Sequence, residues 1–205
     1  MAEATSGGGD RATEAGDRTI RLGSSGLLLA RHGQTDDNLE PIRAQGFSDT
    51  PLNDVGRRQA QRLAEHVAPL TINSLWTSDL SRAAETAAIV GRRIGLTPKP
   101  DARLREGDRG DWEGRLFIDI KREDPDGYAA WMRAGASFRF PGGESLEAHA
   151  DRVWECLEEI RSSGLLPALV ICHRGSIRTV MCRFDARGLD AFHAYDVPNT
   201  GLVEL

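Results

Sequence analysis

Lysine is nearly missing from this chain: it stands only at Lys99 and Lys121, so almost all of the 26 cationic residues are arginine. Coding-sequence bias is the simplest source of that imbalance, yet any arginines gathered in one cleft would be planar forks suited to oxyanions. Cysteine is scarce too. Cys156, Cys172 and Cys182 form no CxxC pair and leave an odd count, which excludes a dithiol redox motif and fits a reduced cytoplasm. No run approaches the ~20 apolar residues of a membrane helix, and the opening residues lack the apolar region of a secretory signal, so no membrane partner is expected. A surplus of positive charge is also missing. The net charge of -5 over 205 residues argues against a nucleic-acid partner.

What is present is enough apolar material, 40% of residues, for one substantial core and a single domain. Residues 1–25 are rich in Gly, Ala, Ser, Thr and charge and read as a flexible tail, with the domain over 26–205. From Leu27 onward, short apolar runs alternate with longer periodic ones, the pattern of strands and helices in turn. Strands are expected at 27–30, Ser74 to Thr77, 96–104, 168–172 and from Gly201. Helices are expected after Asn53, with Val55, Leu63, Ala64 and Val67 on one face, and after Ser78, with Leu80, Ala83, Ala87, Val90 and Ile94. Two more are expected at 144–163 and 176–184. Residues 106–143, with Trp112, Phe117, Tyr128, Trp131 and Phe138 in no clean period, read as a loop and short-helix insertion of the kind that sets specificity. The outline is a three-layer α/β/α sandwich on a mostly parallel sheet.

Two strings stand out within that outline. Arg31-His32-Gly33 and Cys172-His173-Arg174 each follow an apolar strand, and open α/β sheets bind ligands at the carboxyl ends of their strands. Gly33 lets the backbone turn close to a ligand, and His173 precedes Gly175-Ser176 at a helix start, where free N–H groups attract anions. Arg82 sits near the start of another helix, and Glu106 supplies a carboxylate for general acid and base work if its pKa is raised. Taken singly, each of these residues has an ordinary structural explanation; together they sketch an oxyanion site.

The ordered set of strings resembles the histidine phosphatase superfamily, phosphatase branch of the phosphoglycerate mutase-like fold. The strings are Leu29-Ala30-Arg31-His32-Gly33-Gln34-Thr35 with Asn38, Arg43-Ala44-Gln45-Gly46, Thr50-Pro51-Leu52 with Gly56, and Thr77-Ser78-Asp79-Leu80-Ser81-Arg82-Ala83. They continue with Leu104-Arg105-Glu106, Gly110-Asp111-Trp112-Glu113-Gly114, Pro141-Gly142-Gly143-Glu144-Ser145, His173 with Gly175 and Ile177-Arg178, and Asn199-Thr200. The resemblance implies a phosphomonoesterase for a small phosphorylated metabolite, working through a phosphohistidine and needing no metal or other cofactor. It implies His32 as nucleophile, Arg31, Arg82 and His173 as charge stabilisers and Glu106 as proton donor and then base. Asn38, Gln34, Thr35, Gln45 and Gly46 become candidate substrate contacts.

Three other readings stay open. Cys172 to Arg178 also spells Cys-x5-Arg, the outline of a cysteine phosphatase loop, although neighbours on a strand point to opposite faces, so a pocket-facing His173 leaves Cys172 in the core. A cofactor-dependent phosphoglycerate mutase would use the same residues, and so would an idle phospho-ligand binding protein. The chain departs from the family pattern at Arg109, where an aromatic residue is usual, and at Arg174, where a small residue is usual. Arg174 reads first as solvent-facing; if both arginines reach the pocket, they favour a substrate with a second acidic group. Monomer and homodimer are equally compatible with the sequence.

Overall fold

The computed structural model describes residues 19–23 and 25–205, so most of the tail expected over 1–25 lies outside the described residues. The part of that segment that is described forms strand β1 (Ile20–Arg21). Then follow β2 (Leu27–Arg31), α1 (Asp54–Val67), β3 (Ser74–Thr77), α2 (Ser81–Ile94) and β4 (Lys99–Pro100). The insertion carries α3 (Phe117–Glu123) and α4 (Pro125–Arg133), and the chain closes with α5 (Leu146–Ser162), β5 (Ala168–Cys172), α6 (Arg174–Cys182) and β6 (Leu202–Glu204).

The sheet runs β1-β6-β2-β5-β3-β4. Parallel pairing joins β2, β5, β3 and β4, while β6 lies antiparallel to β2. The apolar runs of β2 and β5 are buried on both faces, as central parallel strands require. On one face Leu27, Leu29, Val170 and Cys172 pack against Val153, Leu157 and Ile160 of α5 and Ile177 and Val180 of α6. On the other, Ala30, Leu169 and Ile171 meet Leu63, Ala64 and Val67 of α1 and Ala83, Ala87 and Val90 of α2. The three layers are therefore α1/α2, sheet and α5/α6. A separate cluster of Trp112, Ile120, Trp131, Phe140, Leu146 and Phe192 anchors the insertion to α5 and to the turn at Gly188–Ala194.

Several local expectations need correction. The strand expected over 96–104 shrinks to Lys99–Pro100, because Pro98 and Pro100 lack ladder donors and Asp101 accepts from the Arg103 amide to start a tight turn over Ala102–Leu104. Glu106 consequently sits in a loop beyond that turn. Ser78 does not cap α2, which begins three residues later; its hydroxyl accepts from the Leu80 amide instead (3.3 Å). Val55 is exposed rather than on the buried face of α1, where Ala60, Leu63, Ala64 and Val67 recur. Helix α6 starts at Arg174, with His173 as its N-cap.

Candidate active site

The register of the sheet brings the two histidines together. Arg31 of β2 lies opposite Cys172 of β5, so the next residue of each strand, His32 and His173, leaves the same edge side by side with ring centroids 5.2 Å apart. Both rings are buried, as are Arg31, Arg82 and Glu106. The His32 amide donates to the Cys172 carbonyl (3.0 Å), tying the two strand ends at that level.

His32 Nδ1 lies 2.6 Å from the Gly33 carbonyl oxygen. A carbonyl only accepts, so Nδ1 carries the proton and Nε2 presents a lone pair. Burial, reinforced by the positive fields of Arg82 and Arg31, holds the His32 pKa well below its ordinary value, so the ring is neutral at pH 7. The same holds for His173, where burial, Arg82 and His32 act in one direction and neither ring nitrogen has a hydrogen-bond partner.

The arginines are gripped from behind. Arg31 Nη1 donates to the Val197 carbonyl (2.9 Å), while its Nε is unpartnered. Arg82 donates from Nη1 to Ser48 O (2.8 Å) and from Nη2 to Gly46 O (2.7 Å), again leaving Nε unpartnered. Burial pulls both guanidinium groups down, to about 9 for Arg31 and about 10 for Arg82, yet both stay cationic at neutral pH. The pocket thus holds two neutral imidazoles beside buried positive charge.

Glu106 accepts from the Gly107 amide (2.9 Å) and the Gly175 amide (2.8 Å). Its pKa is not raised, as general-acid duty had suggested, but lowered to about 2. Burial alone would push it up; Arg109, His149 and the two amides outweigh burial. Because His149 is itself held down to about 4 by burial and by Arg152, its pull operates only in acid, and Arg109 with the amides explains the shift at neutral pH. Glycine is required at 175 because a Cβ there would lie 2.1 Å from Glu106 Oε1.

The candidate substrate contacts divide. Thr35 is fully buried and donates to Gln45 Oε1 (3.2 Å), and Asn38 is held by the Thr35 amide, Gln45 and Asn199. Gln34 accepts from Asn53, and its amide donates to Gln59. These side chains brace the loop around His32. Arg109 and Arg174 instead line a neighbouring cavity with Arg178, Phe117, Tyr128 and Trp131, so Arg174 turns to the pocket rim and not to solvent. Trp112 is core. Cys172 packs in the core opposite His173, and burial pushes its thiol far up, the reverse of a nucleophilic cysteine.

Sequence reasoning missed two supports. Glu113 accepts from four amides, those of Gly46 (3.1 Å), Phe47 (2.7 Å), Ser48 (3.0 Å) and Arg109 (3.0 Å), and so shapes the loop whose carbonyls hold Arg82. Arg152 donates to the carbonyls of Arg103, Arg105 and Glu106, each at 2.7–2.8 Å, and fixes the backbone that carries Glu106. The Gly-Asp-Trp-Glu-Gly string was the available signal for Glu113; a helix arginine such as Arg152 gives none.

Buried arginines around a histidine with a free Nε2, beside a buried carboxylate, form a site suited to phosphoryl transfer. The chain belongs to the histidine phosphatase superfamily (branch 1), whose family model matches residues 27–205. It is 36% identical over 159 residues to a glucosyl-3-phosphoglycerate phosphatase of Mycolicibacterium vanbaalenii, covering 74% of this chain and 70% of that one. Identity is 29% over 179 residues to a putative phosphoserine phosphatase 2 of Hydrogenobacter thermophilus, covering 87% and 88%. A solved mycobacterial glucosyl-3-phosphoglycerate phosphatase with VO3 matches with a TM-score of 0.78 at 32% identity, covering 86% and 88%. The protein is a phosphatase of small phosphate monoesters. Among the described residues no helix is long and apolar enough to cross a membrane.

Proposed function

We propose that the protein hydrolyses its substrate through a phosphohistidine on His32, in the cytoplasm and without a metal. The observation that carries this reading is the Nδ1 contact to the Gly33 carbonyl, which aims an unprotonated Nε2 into a cationic pocket. Nε2 attacks phosphorus in line with the ester oxygen, and the P–O bond breaks as the P–N bond forms. Arg31, Arg82 and His173 face the equatorial oxygens and stabilise their charge.

The low pKa of Glu106 decides where the proton comes from. Free Glu106 is a carboxylate, whereas a phosphate monoester with a second pKa near ~6 carries one proton in mild acid. Bound phosphate opposes the pull of the arginines, so that proton moves to Glu106 and is delivered to the leaving oxygen. Carboxylate again, Glu106 takes a proton from the water that attacks the phosphohistidine. Free, buried thiols at Cys156, Cys172 and Cys182 support a reduced compartment.

The names of the relatives make phosphoglycerate esters and phosphoserine the first compounds to try. Incubation with 3-phosphoglycerate, with and without 2,3-bisphosphoglycerate, separates hydrolysis from isomerisation. Phosphate release that disappears in His32→Ala is expected; efficient formation of 2-phosphoglycerate with little release would make the protein a mutase.

A further inference from the structure

Beside the phosphoryl pocket lies a cavity of about 160 Å³ with an unusual wall. Arg109, Arg174 and Arg178 all line it, among Phe117, Tyr128 and Trp131, and among the described residues its lining includes no aspartate or glutamate. Arg174 and Arg178 are one helical turn apart on α6 and so share a face, a spacing at which like charges repel. Arg109 is 6% exposed, and its Nε and Nη1 have no hydrogen-bond partner. Its guanidinium lies over the rings of Trp131 (5.0 Å) and Phe140 (4.7 Å), which orient the plane of the fork without satisfying its donors. Arg178 is held by the Tyr195 carbonyl through Nε (2.7 Å).

Buried, unsatisfied N–H groups are costly, and at Arg178 the repulsion of Arg174 exceeds the attraction of Glu106, although at Arg109 Glu106 is the stronger of the two. Both costs are offset when an anion enters. The cavity reaches Gly175, whose amide donates to Glu106 Oε2 (2.8 Å). A group held there is one residue from the proton donor.

We propose that this cavity is a second anion subsite, and that the preferred substrates are phosphate monoesters bearing a further acidic group, a carboxylate or a second phosphate. The inference rests on the phosphatase reading above and adds the substrate class. The acidic group is forked by Arg109 and Arg174, and the aromatic rings pack against the short carbon chain between the two anions.

Matched pairs test it: 2-phosphoglycolate against ethyl phosphate, 4-carboxyphenyl phosphate against phenyl phosphate, and propane-1,3-diol bisphosphate against propyl phosphate. The wild type is expected to favour the acidic member by roughly tenfold or more in kcat/KM, the scale of one charged hydrogen bond. That ratio falls to within about twofold of unity in Arg174→Ala, which removes a half-buried side chain, and in Arg109→Met, which keeps the packing volume. The first two pairs report on a carboxylate and the third on a phosphate, and preference in either set supports the subsite. Ratios near one in the wild type, or ratios untouched by both variants, overturn the subsite. In that case hydrolysis of the neutral esters, lost in His32→Ala, leaves the phosphatase reading standing. Hydrolysis of no member of any pair overturns both.

Discussion

Glu113→Ala should damage catalysis from a distance, through Arg82. The carboxylate accepts from four amides at 2.7–3.1 Å, and two of those residues, Gly46 and Ser48, present the carbonyls that hold Arg82 at 2.7 and 2.8 Å. Burial pushes the Glu113 carboxyl up, but the Ser48 hydroxyl and the amides of Ser48, Arg109 and Phe47 hold it below its usual range. A net contribution of ~1.5–3 kcal/mol for each charged hydrogen bond would sum to far more than the real loss, because Glu113 is only half buried and water can reach the freed donors. A total of about 2–4 kcal/mol in stability is expected. With the loop relaxed, a displacement of Arg82 by ~1 Å is worth about 10²-fold in kcat. Glu113→Gln, with one accepting oxygen in place of two, should fall between. The assay is kcat for Glu113→Ala, Arg82→Ala and the double variant, beside urea unfolding of each. If Glu113 acts through Arg82, the double variant is little worse than Arg82→Ala alone. Additive losses, or a Glu113→Ala enzyme within about twofold of wild-type kcat, would refute the reasoning.

Three further outcomes follow from the site's electrostatics and packing. Because Glu106, near 2 in the free protein, is already a carboxylate and the ester loses its second proton near ~6, kcat/KM should fall about tenfold per pH unit above about 6; a rise towards pH 8 contradicts the proposed proton source. Stability should be acid-sensitive through His32, His149 and His173, whose folded pKa values lie below 6.5, about 4 for His149. Their stabilising effect is complete above 6.5 and is lost as pH falls towards 4, at up to ~1.4 kcal/mol per pH unit for each ring; urea midpoints unchanged between pH 7 and 5 would sink this. Gly175→Ala forces a Cβ to within 2.1 Å of Glu106 Oε1, so kcat should drop at least tenfold while far-UV circular dichroism is retained; wild-type turnover contradicts the close approach.

The strands and the paired histidines were legible because β2 up to Ala30 and all of β5 are apolar, and a parallel register then leaves the residues after Arg31 and Cys172 side by side. The helices of the outer layers were legible from Leu63 to Val67 and from Ala83 to Val90, where burial has helical period. Elsewhere local chemistry overrode pattern: two prolines cut β4 to Lys99–Pro100, and Asp101 turned the chain before Glu106. The depressed pKa of Glu106 was not legible, since it arises from Arg109 and from amides of Gly107 and Gly175. Nor were the contacts of Glu113 and Arg152, which run mainly to backbone groups, with Glu144 as the carboxylate partner of Arg152, and leave no period in the sequence.

Turnover is expected to pass through a covalent bond between phosphorus and His32 Nε2. Rapid acid-free quenching with a turned-over ester, alkaline digestion and peptide mass spectrometry should find one phosphoryl group on the peptide bearing His32, stable in base, labile in acid and missing from His32→Ala. Phosphorylation at Cys172, or burst-free turnover with no labelled peptide in the wild type, would contradict it.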